Sequence, residues 1–352
     1  MSKNLPKGGT LLVSALALAL VAASILALLS RGGSPGLALE AVANGPVPAV
    51  RVVVVARDPN DVAGPMVVAT ADGTLTELTD SEPFAALRIS PDGDTVAGLV
   101  SGPTSADPRL LLVDVDSRQV TTVKLARQDV PLLLAWSPDS RYVAIDGGTL
   151  QVVNRAGQVV ARTGLGASIG PDGVSVAGGG FGWSPDSRTF ATSTNGELRV
   201  YRQDAAAASS WLVKDLAPDS GEVAWFAGFA ADGDPVFTLP ATGKTIALKW
   251  AGTGQPAIDS GAQVEPATRP DLAVPVLTQN QMDKLTEAHP GFDVLRARRL
   301  QGPGAAVMAE ATDGKRTVLV AFFADTAEVT FELSGLGPES NGGALYDGWV
   351  DR

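Results

Sequence analysis

The chain has 352 residues, 45% of them hydrophobic and 18% charged, enough apolar content for one large core or two average ones. Acids number 38 and bases 27, and the net charge of −11 repels phosphate backbones and argues against sequence-independent nucleic-acid binding. The absence of cysteine excludes disulfides, thiolate nucleophiles and Cys-ligated zinc, and the single histidine, His289, sits beside Pro290 and reads as a surface residue.

Thr10 to Ser30 is a 21-residue stretch without a charge, preceded by Lys3 and Lys7. At about 1.5 Å per residue, a helix of this length matches a hydrocarbon core of roughly 30 Å. Cleaved signal peptides usually have a shorter apolar core, about 7–15 residues. Cutting after Val21-Ala22-Ala23 would also leave Ile25-Leu26-Ala27-Leu28-Leu29 exposed. The expectation is a cytoplasmic tail at 1–9, an uncleaved anchor at 10–30 (a cleaved signal being the alternative) and an extracytoplasmic remainder. Residues 31–50, rich in Gly, Pro and Ala, read as a tether, and 51–352 as the folded part.

A short phrase then recurs. Ile89-Ser90-Pro91-Asp92-Gly93 returns as Trp136-Ser137-Pro138-Asp139-Ser140 and as Trp183-Ser184-Pro185-Asp186-Ser187, with a degraded copy at Phe229-Ala230-Ala231-Asp232-Gly233. The steps from Ser90 are 47, 47 and 46 residues. A fixed period of about 40–50 with strand-like content is the mark of propeller blades. One unit reads as four strands: Leu132–Trp136, Tyr142–Ile145, Leu150–Val153 and Gln158–Arg162, with a Ser-Pro-Asp turn, Asp146-Gly147-Gly148 and Asn154–Gly157 between them. Trp136 and Trp183 share one position and read as core between blades.

Trp-Ser-Pro-Asp-Ser followed by an apolar strand and then a Leu-x-Val-x strand resembles the blade of TolB-type propellers, the WD40-like (PD40) repeat, over about residues 66–250. The resemblance implies a β-propeller. It stops at the repeat: between anchor and first strand there is no room for the domain that precedes the propeller in TolB, so TolB's partner is not carried over.

Past Trp250 the rhythm fails, and Ala251–Pro275 reads as an extended connection. Thr278 is placed to cap a helix over Gln279–Ala288, stopped by Pro290, before further strand-like runs. The expected fold is all-β: about six four-stranded blades at 51–80, 84–126, 131–164, 177–216, 222–251 and roughly 290–335, preceded by one transmembrane helix. The first blade lacks an innermost strand, for which Ala344–Val350 is the candidate, since a ring protects its edges only when complete. A separate small α+β unit at 270–352 is the rival reading.

No Gly-x-Ser-x-Gly elbow, His-rich metal set or phosphate-cradling Gly loop is present, so no cofactor, metal or catalytic residue is assigned. Asp114-Val115-Asp116-Ser117 lacks the Gly and distal Glu of a calcium loop and reads as a hairpin turn, and Asp92, Asp139 and Asp186 read as turn caps. The basic run Arg296-Ala297-Arg298-Arg299 reads as a solvated face. The longer loops, 57–65, 101–109, 163–174 and 251–275, fall on the face opposite the Ser-Pro-Asp turns. Loops gathered on one face of a rigid scaffold usually do the binding. Asp58, Asp61, Asp107, Arg109 and Asp172 are the candidate binding residues. The expected function is a binding scaffold for an envelope protein or glycan, without nucleic acid; the alternative is a propeller hydrolase or lactonase with carboxylates in the central funnel.

Overall fold

The computed structural model describes residues 40–43, 50–55, 63–70, 72–100, 108–126, 133–147, 149–163, 180–194, 196–218, 223–266, 277–301, 306–323, 329–336 and 346–350. The apolar stretch 10–30 lies outside them; among the described residues no helix is long and apolar enough to cross a membrane.

Among the described residues, twenty-five strands form six antiparallel sheets. The first sheet holds β2 (Val50–Val55), β3 (Met66–Thr70) and β4 (Leu75–Glu77), with β25 (Tyr346–Val350) as its innermost strand. The second is β5 (Phe84–Ile89), β6 (Thr95–Val100), β7 (Arg109–Asp114) and β8 (Val120–Lys124). The third is β9 (Leu133–Trp136), β10 (Tyr142–Asp146), β11 (Leu150–Asn154) and β12 (Val159–Arg162). The fourth is β13 (Phe181–Trp183), β14 (Thr189–Thr194), β15 (Glu197–Arg202) and β16 (Ala207–Leu212), followed by the single turn α1 (Val213–Leu216). The fifth is β17 (Trp225–Phe229), β18 (Pro235–Leu239), β19 (Lys244–Lys249) and β20 (Ala257–Ser260). Helix α2 (Gln279–Ala288) leads into the sixth: β21 (Asp293–Arg299), β22 (Ala306–Thr312), β23 (Thr317–Phe323) and β24 (Val329–Leu336), edged by β1 (Glu40–Ala43).

The sheets stack in sequence as the blades of a propeller. Val53, Val68, Leu87 and Leu111 join the first to the second; Leu99, Leu112, Trp136 and Val143 join the second to the third. Val152 and Tyr201 link the third to the fourth, and Trp211, Phe226 and Phe237 the fourth to the fifth. The sixth packs on the first through Met308, Leu319, Leu333 and Val52, so the last sheet meets the first. Strand alternation sends Val307, Ala309, Val318, Val320 and Phe322 to the sixth sheet's other face, where α2 covers them with Leu285 and Met282. The expected helix forms at Gln279–Ala288, opened by a capping box between Thr278 and Gln281.

The closing strand forms as the sequence leads one to expect, with Val50 opposite Val350 and Val54 opposite Tyr346. β25, from the 270–352 segment, completes the first blade. Two readings need correction. Glu40–Ala43, within the stretch read as tether, pairs with β24, Glu40 opposite Ser334. Ala257–Ser260, within the stretch read as a connection, is the fifth blade's outer strand. Outer strands bury little, so neither shows the apolar run or alternation that reveals inner ones.

Candidate functional site

The repeat motif builds the mouth of the channel. In each intact copy the Ser Oγ accepts the amide five residues on: Thr95 to Ser90 at 3.0 Å, Tyr142 to Ser137 at 3.0 Å and Thr189 to Ser184 at 2.9 Å. It donates in turn to the Asp two residues on, at 2.6 Å for Ser137–Asp139 and Ser184–Asp186. The fifth residue sits at positive φ, 59° at Ser140 and 63° at Ser187, and its hydroxyl accepts the Asp amide of the preceding blade, Asp92 to Ser140 and Asp139 to Ser187, both at 3.0 Å. Each indole also reaches back one blade: Trp136 Nε1 donates to the Arg88 carbonyl at 3.1 Å and Trp183 Nε1 to Ala135 at 3.2 Å. These aspartates cap their turns, as the sequence implies, and the amides of Asp92 and Asp139 clasp the next blade. Asp114 likewise accepts the Ser117 amide at 2.7 Å in its hairpin.

The turns surround a depression of about 480 Å³ at the mouth of the channel, walled by Pro91, Trp136, Pro138, Trp183 and Gln301. Below its rim, inner strands from three blades bring charges together. Asp347 on β25 is buried, and its Oδ2 accepts the Ile89 amide of β5 at 3.0 Å. Arg298 on β21 donates to the Tyr346 carbonyl at 2.7 Å and lies 3.9 Å from Asp347 Oδ1. Arg296 pairs with the buried Glu310, and both guanidiniums lie over the Tyr346 ring, at 5.5 and 5.3 Å from its centre. Arg88 Nη1 donates to the Leu87 carbonyl at 2.7 Å.

Burial pushes the Asp347 carboxyl above its usual range, against the pull of Arg88 and Arg298. Burial lowers the Arg88 guanidinium; Asp347 opposes that, while Arg298 and Arg296 add to it. Burial, helped by Glu310, pushes the Tyr346 phenol up to about 12. The basic run is therefore not a uniform solvated face: alternation along β21 brings Arg296 and Arg298 to the side facing the first blade, over Tyr346.

Of the sequence-predicted binding residues, Asp58, Asp61, Asp107 and Asp172 lie outside the described residues. Arg109 opens β7, and its Nη2 donates to both oxygens of Glu82 at 2.7 and 2.6 Å. The pair lines a second depression, about 400 Å³, beside Asp80, Thr79 and Val120 at the junction of the first two blades. A third cluster had no signal in the sequence. Buried Arg199 pairs with Asp146 of the neighbouring blade and, at 2.7 Å, with Glu197. Burial works against its charge, but the two carboxylates outweigh it and raise the guanidinium above its usual range. His289 ends α2, with Nε2 3.3 Å from Glu332 Oε2 on β24, so it belongs to the sixth blade's packing. Among the described residues no group of three or more His, Asp or Glu side chains is placed to hold a metal ion.

No family model and no curated protein matches the chain. Among solved structures it is similar to the Dos1 propeller, at 13% identity over 58% of this chain and 50% of that one, with a TM-score of 0.36. The chain thus spans half the length of that structure. It is similar to the β-propeller domain of the Trilobed protease from Pyrococcus furiosus, at 12% identity over 86% and 84% of the two chains, TM-score 0.36. A structure of the nidogen/laminin complex matches at 9% identity over 85% and 98%, TM-score 0.37. Nothing about activity or partner follows from likenesses of this order.

Proposed function

We propose that the chain is a binding or scaffolding module of the cell envelope, with a TolB-type (PD40) repeat, held on the extracytoplasmic side of a membrane by residues 10–30, its partner an envelope protein or glycan. The observation that carries this reading over a hydrolase is the state of the channel's carboxylates. A funnel hydrolase needs an acid open to substrate to donate or take a proton. Asp347 and Glu310 instead sit behind arginines at 1% and 0% side-chain exposure, held by Ile89, Arg298 and Arg296. Clasps between blades make the rest a rigid frame on which loops can present a surface. The working loops of this reading are 57–65, 101–109, 163–174 and the part of 251–275 that follows β20, with Asp58, Asp61, Asp107, Arg109 and Asp172 as its polar contacts.

The test is cross-linking of the intact protein in its native membrane, with co-purifying chains identified by mass spectrometry. The expected result is one reproducible envelope partner, lost when 101–109 or 163–174 is shortened. Recovery of the propeller in the soluble fraction would overturn the anchoring, and capture of nothing would overturn the scaffold.

A further inference from the structure

The chain carries a net charge of −11, yet its channel holds three guanidiniums, Arg88, Arg296 and Arg298, around two carboxylates, Asp347 and Glu310. The two signs are layered. The carboxylates are 1% and 0% exposed, while the side chains of Arg298 and Arg296 remain 33% and 37% exposed. Arg296 and Arg298, two apart on β21, are stacked against one Tyr346 ring, which holds like charges side by side. Arg88 comes from β5, next to Ile89, whose amide binds Asp347. Among the described residues no carboxylate lies within ion-pairing distance of Arg88, and its Nη1 is engaged by a neutral carbonyl. Three cations gathered around two carboxylates, one of them without a carboxylate at ion-pairing distance, repel one another and favour an added anion. Guanidinium forks are the side chains that match planar or tetrahedral oxyanions.

We infer that the channel is an oxyanion site, in which Arg88, Arg296 and Arg298 hold a carboxylate or phosphate group entering past Trp136 and Trp183. Gln301 connects the two levels: it lines the mouth, and its amide donates to the Gly348 carbonyl at 2.8 Å, one residue from Asp347. The indole and proline walls suit the uncharged body of the molecule that carries the anion. This inference stands apart from the envelope reading, because it requires neither the anchor nor the loops of the opposite face.

The experiment is calorimetric titration of the full chain in detergent at low ionic strength, with inorganic phosphate in one arm and succinate in the other. Saturable binding of at least one is expected, and the arm that binds more tightly identifies the anion's chemistry. Arg88→Gln and Arg298→Gln each remove charged donors and should weaken binding about tenfold or more. Asp347→Asn keeps the acceptor for the Ile89 amide but removes a negative charge, so it should tighten binding, a result no loss of folding imitates. Lys284→Gln, on the exposed side of α2, should leave binding unchanged. The site is overturned if neither anion binds saturably, if both arginine variants bind as the parent does, or if Asp347→Asn binds no more tightly.

Discussion

At the residue scale, the Ser-Pro-Asp phrase is conspicuous because one hydroxyl does three things at once: it caps its own turn, orients the Asp, and fixes the entry of the second strand. The fifth position carries an opposed pair of effects that a mutant series can separate. Ser140 is held at φ 59°, a conformation costing a non-glycine residue about 1 kcal/mol, and its hydroxyl takes the Asp92 amide of the blade before. Ser140→Ala keeps the strain and loses the bond, for an expected loss of about 1–2 kcal/mol in denaturant unfolding. Ser140→Gly loses the bond but relieves the strain and should be near neutral. The natural copies agree in kind, since Gly93 and Gly233 hold this slot at φ 79° and 84°. Asp92 gives a pH signature. Burial raises its carboxyl, but the Ser90 hydroxyl, the Asp94 amide and Arg155 outweigh that and set it below the usual 3.8. A folded value below the unfolded one means the stabilisation is complete above the unfolded value and fades as pH falls through the folded one. Asp92→Asn should therefore lower stability at neutral pH and flatten the loss below about pH 4, which urea midpoints at a series of pH values would read.

At the scale of elements, α2 stands where a neighbouring sheet would otherwise cover the face of β22 and β23. Leu285 is 1% exposed and packs with Val320 and Phe322, so Leu285→Ala should cost about 2–5 kcal/mol. Thr278→Ala, which removes one half of the capping box, should cost about 1 kcal/mol. Hydrogen exchange should locate both losses in β22 and β23; an effect spread evenly over all blades would deny α2 this local role. The helix was legible because its cap, length and Pro stop are all local in sequence. So were the inner strands, whose buried faces leave apolar runs. β1 and β20 were not: a short outer strand is specified by the backbone edge it meets, and no side-chain pattern need mark it. The Arg199–Asp146 pair was equally silent, its partners lying on different repeats 53 residues apart.

For the whole molecule, the channel arginines show what only closure creates. Ile89 and Asp347 are 258 residues apart, and no spacing rule connects Arg88 to Arg298 until β25 joins the first blade. Strands β1 and β25 make unequal contributions to that closure. β1 adds four residues to an outer edge, pairing with β24, and Ala41 packs against the core. β25 pairs along β2, buries Tyr346 and Asp347, accepts the Arg298 guanidinium and the Gln301 amide on its carbonyls, and receives the Ile89 amide on Asp347. Without it, the first blade would present a row of unpaired amides and carbonyls to the channel, and Arg298 would lose the buried carboxylate beside it. Replacing Glu40–Ala43 by a Gly/Ser stretch should therefore lower the unfolding temperature modestly and leave one cooperative transition. Removing 346–352 should broaden or split the transition, increase aggregation, and abolish hydrogen-exchange protection in β2 and β5 together. Equal effects of the two changes would mean that the ring is held by its outer edges, and the inner-strand account of closure would have to be given up.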